Sequence, residues 1–395
     1  MKGLDGFDFR GKVVLVRADL NSDVRVSRVA GRGSRVAKVL ESERIRASAE
    51  TIKELKRKGA KVVVLAHQGR KGEVDFVNLR QHARLLNKYV NVKFVDDVCG
   101  AKAISEIGKL ESGEIILLNN VRFVADEFAP EKGKRNELYR LVKVVDFFVN
   151  DAFSVCHRAQ ASVVLFPKYL PSCAGRLLYR EIIALKKIKL RNCLYVLGGA
   201  KPADNMKLLS AGVRRQASGV RKILVCGLFG QMCLIADGKN LGAQNKYLKN
   251  VVDDYDGVLK KLNGRLKNIE MPIDFAVKVG GRRVERMLNE FPCDDEIFDI
   301  GAGTIEKYVS EIRRAKVVFV KGPAGDSADS KFAKGTVALL RAVAKCEFSL
   351  IGGGHLNDTI KKYKLKGFGH VSLSGGALLR YVAGEKLPGL EAISK

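Results

Sequence analysis

Short apolar runs alternate with longer amphipathic stretches along the whole chain, and this alternation constrains the fold more than any other feature. The runs lie at 12–17, 61–66, 92–95, 114–118 and 145–150 in the first half, and at 193–197, 222–226, 272–277, 316–320, 347–351 and 369–373 in the second. Several are unbroken, such as Lys61-Val62-Val63-Val64-Leu65. A strand that is apolar at every position has both faces covered, the condition of a parallel sheet with helices on either side. Between the runs, 43–58, 131–143, 204–219, 329–345 and 356–364 carry apolar residues at helical spacing. Alternation this persistent predicts an α/β chain with two doubly wound, Rossmann-like parallel sheets.

The break between the two halves falls near Pro167 and Pro171. Leu177–Leu190 then reads as one helix, with Leu178, Ile182, Leu185 and Ile188 at helical spacing. The expected organisation is a first domain over 1–170, an interdomain hinge helix over 171–190 and a second domain over 191–377. The tail, from about 378 to 395, is expected to rejoin the first domain. Residues 25–40 are rich in Arg and interrupted by Gly31 and Gly33, and they read as an exposed basic loop.

Composition narrows the class. The 39 Gly against 8 Pro suit many tight strand-to-helix turns. None of the eight cysteines forms a C-x-x-C or lies near a His at zinc spacing, so they read as reduced thiols of a cytoplasmic protein. No segment reaches the roughly 18 consecutive apolar residues of a membrane span, and Met1–Gly6 lacks a signal-peptide core. The expected protein is cytoplasmic, with no membrane partner. A net charge of +28 favours anionic partners such as nucleotides, phosphorylated metabolites or nucleic acid. The excess is spread out, with Arg25–Lys38 its one dense stretch.

Ligands of a parallel α/β sheet sit at the carboxyl ends of its strands, so the residues after each run are the informative ones. In the first half these are Arg17-Ala18-Asp19-Leu20-Asn21, His67-Gln68-Gly69-Arg70, Asn119-Asn120-Val121-Arg122 and Asp151 through Arg158. Arg44 opens the helix that begins at Glu43. Guanidinium forks bind phosphate and carboxylate oxygens in pairs, so arginines delivered by four strand ends describe a grip for a small anion. Asp19 would repel a phosphate; its expected partner is a substrate hydroxyl or an Arg that it holds.

In the second half glycines take the place of arginines. The runs end on Gly198-Gly199-Ala200-Lys201, Gly227-Leu228-Phe229-Gly230, Lys321-Gly322-Pro323-Ala324-Gly325, Gly352-Gly353-Gly354-His355 and Ser374-Gly375-Gly376-Ala377. Glycine lets backbone approach a ligand, and the helices that follow aim N–H groups at anions. This set reads as a nucleotide phosphate cradle. It contains no G-x-x-x-x-G-K-[ST] loop, no G-x-G-x-x-G opening and no protein-kinase signature, which removes those classes.

These motifs, in this order, resemble the phosphoglycerate kinase family, and its archaeal branch most. The most specific are Val16–Asn21, Arg44-Ile45-Arg46-Ala47, His67–Arg70, Asn120–Phe123, Val149–Phe153 with His157-Arg158, Gly198–Lys201, Gly322–Gly325 and Gly352–Gly354. The resemblance implies reversible phosphoryl transfer between 1,3-bisphosphoglycerate and MgADP, giving 3-phosphoglycerate and MgATP. It implies that Asp19, Asn21, Arg44, His67, Gln68, Gly69, Arg70, Arg122 and Arg158 bind the glycerate. It implies nucleotide contacts at Gly199, Lys201, Lys207, Lys321, Gly322, Pro323, Gly353, Gly354 and His355, and catalytic roles for Arg44, Lys201, Gly354 and Gly376. Mg²⁺ would accompany ATP or ADP, and the lobes would close to bring the two half-sites together. A monomer with no specific nucleic-acid partner is expected. The chain departs from the family on the nucleotide side. Asn205 stands where many members have a second Lys, Lys321 where they have Asn, Ala328 where a Glu usually holds the ribose, and His355 where an Asp helps hold the metal-nucleotide. No metal ligand is therefore assigned. A catalytically degenerate protein of the same fold, binding nucleic acid through its basic surface, is the alternative. Its aromatic residues show no stacking pattern among the basic ones.

Overall fold

The computed structural model describes residues 1–28, 35–188, 193–214 and 220–394. They form two compact units, one of Met1–Ile182 with Lys386–Lys395, the other of Ile183–Glu385.

The strands of the first unit are β1 (Val13–Arg17), β2 (Val24–Arg28), β3 (Arg35–Val39), β4 (Lys61–Leu65), β5 (Lys93–Phe94), β6 (Ile115–Leu117), β7 (Phe147–Asn150) and β8 (Ser172–Ala174). Six of them make one sheet in the order β5-β6-β4-β1-β7-β8, and every pairing is parallel. The unbroken apolar runs sit at its centre: Val14 pairs with Val62 on one side and Phe147 on the other, all buried. The helix Glu43–Arg57 starts where Ser42 accepts the N–H of Ile45, and it carries Glu43 in its first turn and Arg57 in its last, as the helix dipole favours. It buries Ile45, Ala49, Ile52 and Leu55 in the core that holds Val14, Val16, Val62 and Val64. Ile45, Ile52 and Leu55 contribute about 1.5–3 kcal/mol each.

Within residues 25–40, expected as a loop, 25–28 and 35–39 are β-strands. β2 and β3 pair antiparallel, with Val24 opposite Val39 and Arg25 opposite Lys38. Gln81 fastens the ribbon to the helix Arg80–Leu86: its Oε1 accepts from Val39 N at 3.0 Å and its Nε2 donates to Ala37 O at 2.9 Å. The alternation of Val24 and Val26 with polar residues was a two-residue period masked by charge. Residues 29–34, which include Gly31 and Gly33, lie outside the described residues.

The stretch 131–143 is also no continuous helix. It is a pair of 3₁₀ turns over Pro130–Arg135 and a single turn at Tyr139–Val142, because Gly133 sits at φ 55°.

The second unit contains β9 (Cys193–Leu197), β10 (Val220–Val225), β11 (Ile269–Glu270), β12 (Asp274–Val279), β13 (Arg282–Met287), β14 (Ile297–Ile300), β15 (Val317–Lys321), β16 (Phe348–Gly352) and β17 (His370–Ser372). Its parallel sheet runs β11-β10-β9-β15-β16-β17. β12 was expected in that sheet and is instead the centre of a separate antiparallel sheet, β13-β12-β14. Gly280 and Gly281, at φ 53° and 74°, form the two-residue turn that sends the chain straight back along β12.

The expected interdomain helix spans Arg176–Ile188, starting later than residue 171 because β8 occupies Ser172–Ala174. The division between the units falls within it, at Ile182/Ile183. Residues 189–190 lie outside the described residues. The returning tail is shorter than expected. Gly376–Val382 belongs to the second unit, and the first takes the chain only from Lys386, where Gly389 N donates to Cys156 O at 2.9 Å.

Candidate active site

Strand order reverses between β1 and β7 in the first sheet and between β9 and β15 in the second, while every strand stays parallel. Loops at such a switch point part to opposite sides and leave a crevice.

In the first unit the loops after β1, β4, β6 and β7 carry the polar residues. Asp19 is buried and its Oδ1 accepts from Arg44 NH1 at 3.0 Å. Asn21 Oδ1 accepts the N–H of Gly69 at 2.9 Å, and Gly69 O accepts from Arg122 NH1. Gly69 is at φ 66°, and a Cβ there would lie 2.4 Å from the Asp75 backbone, so no other residue fits the turn. His67 is 4% exposed. Its Nδ1 lies 3.0 Å from Arg17 NH2, which can only donate, so the ring proton belongs on Nε2. Burial pushes the His67 imidazole well below its usual range, and Arg17, Arg122, Arg44 and Arg158 push it the same way. A neutral histidine ringed by guanidiniums is an anion site in electrostatic terms. Arg122 is pushed down to about 10 by burial and by Arg17, Arg158 and Arg70 nearby, and its buried Nε has no hydrogen-bond partner. A cation so placed gains from an incoming anion.

Arg17 plays a different part from its neighbours. It is wholly buried and donates to Ser162 Oγ at 2.9 Å and Ala18 O at 2.8 Å as well as facing His67. Ser162 in turn donates from N and Oγ to Glu127, at 2.8 and 2.7 Å. Arg17 therefore orients His67 from inside the core. The Gln68 side chain is fully buried and engaged with Ser22 and His82, so it braces the loop. Arg70 is exposed, and Arg158 Nε lies 3.1 Å from His157 Nε2.

In the second unit the loops after β9 and β15 interlock. Gly198 N donates to Lys321 O at 2.7 Å and Gly199 N to Pro323 O at 2.8 Å. A Cβ on Gly322, at φ 76°, would lie 2.3 Å from Gly198 O, so this closeness needs glycine. Four helices open at this edge, at Pro202, Gly227, Gly354 and Gly376, and aim the positive ends of their dipoles at it; the N–H of Gly227 itself donates to Ala324 O at 3.1 Å. Lys201, Lys207 and His355 are exposed, while Lys321 is largely buried. Lys321 Nζ donates to Asn205 Oδ1 at 2.9 Å, Asn205 Nδ2 donates to Gly198 O at 2.8 Å, and Asp204 lies 3.8 Å from Nζ. Burial pushes Lys321 down to about 8. Asp204 opposes that shift; Lys201 and Lys207 add to it. Among the described residues no group of three or more His, Cys, Asp or Glu gathers to hold a metal.

The model of the family described as phosphoglycerate kinase matches residues 4–385. The chain belongs to the phosphoglycerate kinase family. It is 40% identical over 404 residues to the phosphoglycerate kinase of Methanopyrus kandleri, covering 99% of this chain and 96% of that protein. It is 38% identical to that of Methanosarcina mazei, covering 99% and 94%. The crystal structure of phosphoglycerate kinase from Pyrococcus horikoshii superposes with a TM-score of 0.87 at 35% identity, covering 100% of this chain and 98% of that one. The chain is a kinase that transfers phosphate to the carboxyl group of 3-phosphoglycerate, with a nucleotide as the other substrate.

Within this family frame the expected residues divide cleanly between the units. The glycerate candidates Asp19, Asn21, Arg44, His67, Gly69, Arg70, Arg122 and Arg158 all fall in the first, and the nucleotide candidates in the second. Sequence reasoning missed Ser22, His82 and Asn120 as supports. Asn120 Nδ2 donates to Gln68 O at 2.8 Å and Val77 O at 2.9 Å, which ties the β4 loop down. Only Asn120 carried a signal, through its place in the Asn-Val-Arg-Phe motif.

Proposed function

We propose that the first unit holds the glycerate and the second the ATP or ADP. The observation that carries this is the cluster of Arg44, Arg122 and Arg158 around the neutral His67. Arg122, Arg158 and Arg70 bind the phosphate end of 3-phosphoglycerate. Asn21 and Asp19 take its hydroxyl, and Arg44, steered by Asp19, faces the carboxylate. A carboxylate oxygen attacks the γ-phosphorus, the P–O bond to the β-phosphate breaks, and ADP departs with the electron pair. No proton moves, because the attacking carboxylate is already ionised. Catalysis is then positioning and charge neutralisation. Arg44 of the first unit and Lys201 of the second are the cations that neutralise the phosphoryl group, and the N–H groups at Gly354 and Gly376 add to this. The nucleotide arrives with Mg²⁺ on its phosphates. The residues described do not build a cage for the ion, so no step is assigned to it. We also place the protein in the cytoplasm, on the strength of its eight free cysteines.

A coupled assay with 3-phosphoglycerate and MgATP tests the assignment. Wild type turns over, and Arg44→Ala loses at least about a hundredfold in kcat. Full activity in Arg44→Ala would remove Arg44 from the chemistry, and no turnover in wild type would remove the function.

A further inference from the structure

We propose that His82 is a positioning residue for the glycerate site, holding the loop after β1 against the loop after β4 through Gln68. The proposal rests on the reading that the first unit binds 3-phosphoglycerate. His82 lies on the helix Arg80–Leu86 and is wholly buried. Its Nε2 is 3.0 Å from Gln68 Oε1. Gln68 clamps Ser22 from both sides: Ser22 N donates to Oε1 at 2.9 Å, and Gln68 Nε2 donates to Ser22 O at 2.9 Å. That clamp fixes which end of the amide is oxygen, so His82 must donate from Nε2. Burial pushes the ring down to about 4, so at neutral pH it is uncharged, with one N–H to give. Its Nδ1 is buried and has no hydrogen-bond partner. The ring therefore acts through Nε2 alone.

What the clamp holds is the site itself. Ser22 follows Asn21, whose side chain accepts the N–H of Gly69, the residue after Gln68. Ser22 Oγ lies 2.7 Å from Ser42 Oγ, and Ser42 caps the helix that carries Arg44. Asn120 grips the Gln68 backbone from the β6 loop. A single buried ring thus closes a hydrogen-bonded path through the loops bearing Asn21, Gly69 and Arg70, and on to the helix of Arg44. Gln68 Oε1 keeps its bond from Ser22 when the ring is removed. What is lost is the second donor to Oε1, the tie that anchors the clamp to the helix Arg80–Leu86, and with it the spacing of the two loops.

The test compares His82→Leu, which removes the donor, with His82→Gln, whose amide reaches the same point with an N–H. In His82→Leu the KM for 3-phosphoglycerate should rise about five- to tenfold while the KM for ATP stays at the wild-type value, and His82→Gln should recover most of the loss. A merely structural His82 would lower the melting temperature of His82→Leu without separating the two KM values. Should His82→Leu fail to fold, His82→Asn against His82→Gln carries the same contrast, because the Asn amide is too short to reach Gln68. An unchanged KM for 3-phosphoglycerate, an equal rise in both KM values, or a Gln variant as impaired as Leu or Asn overturns the proposal. Absence of 3-phosphoglycerate turnover in wild type would instead overturn the assignment of the site.

Discussion

Lys321, as a nucleotide contact, would couple nucleotide binding to pH. Its ammonium is held by Asn205 at 2.9 Å, with one carboxylate, Asp204, nearby and two further lysines, Lys201 and Lys207, acting against it. Burial outweighs Asp204 and pushes Lys321 down to about 8. The sign follows: below pH 8 the group is charged and ready for a phosphate, and above it the phosphate must first draw a proton on to the amine. The KM for nucleotide should be flat below about pH 7.5 and climb by up to about tenfold per unit above pH 8. Lys321→Met should raise the KM at pH 7 about tenfold and abolish the climb, as initial rates from pH 6.5 to 9.5 would show. A parallel climb in wild type and variant would assign the pH dependence to another group.

At the scale of elements, the helix Arg176–Ile188 depends on a residue from a strand end. Asp151 follows β7, is wholly buried, and its Oδ1 accepts the N–H groups of Leu177 and Leu178 at 2.9 and 3.3 Å. Burial pushes the carboxyl up to about 7, against the hydrogen bonds from Thr51, Leu178 and Leu177. A carboxyl raised in the folded state binds its proton more tightly there than in the unfolded chain. Its contribution is therefore complete below about pH 4 and lost as pH rises through 7. Asp151→Asn keeps an acceptor for the two N–H groups and carries no charge at any pH. The melting temperature of this variant, relative to wild type, should move in its favour between pH 5 and pH 8. A difference that stays constant, or moves the other way, would mean that Asp151 is already ionised at pH 5. The ribbon β2–β3 offers the complementary lesson. Its register sets Arg25 opposite Lys38, a pairing that costs stability in a two-stranded ribbon. Gln81 offsets this by anchoring β3 to the helix Arg80–Leu86, a support invisible along the chain.

At the scale of the molecule, the net charge of +28 acts on substrates before they arrive. Both substrates are multiply anionic, and a positive field speeds their encounter by an amount that salt removes. kcat/KM for 3-phosphoglycerate should fall about three- to tenfold between roughly 20 and 200 mM NaCl, with kcat much less affected. A flat kcat/KM across that range would show that the excess charge faces away from the approach path. Two sheets rather than one also decide where the chemistry sits. Each has its own switch point, one edged with arginine and one with glycine, and the two lie in separate units.

Much of this was legible in the sequence because parallel strands buried on both faces must be apolar throughout, and the residues after them must then line the sheet edge. β1, β4, β7, β9 and β15 follow from that rule alone, and so does the assembly of Asp19, His67, Arg122, Lys201 and Gly322 at carboxyl ends. The antiparallel β12 was misplaced because an apolar run states burial and not direction; the Gly280-Gly281 turn decided the direction. The division of labour within the site was likewise beyond local reading. Arg17, Arg44 and Arg122 are the same residue type at similar positions. Only the folded chain makes the first a buried brace for His67, the second a partner of Asp19 and the third a desolvated cation with an unused N–H. Sequence determined which groups reach the sheet edges, since chain direction and periodicity are local properties. Tertiary structure decided which of them face a ligand and which hold the others in place, since burial and hydrogen bonding depend on neighbours tens of residues away, as His82, Gln68 and Ser22 show.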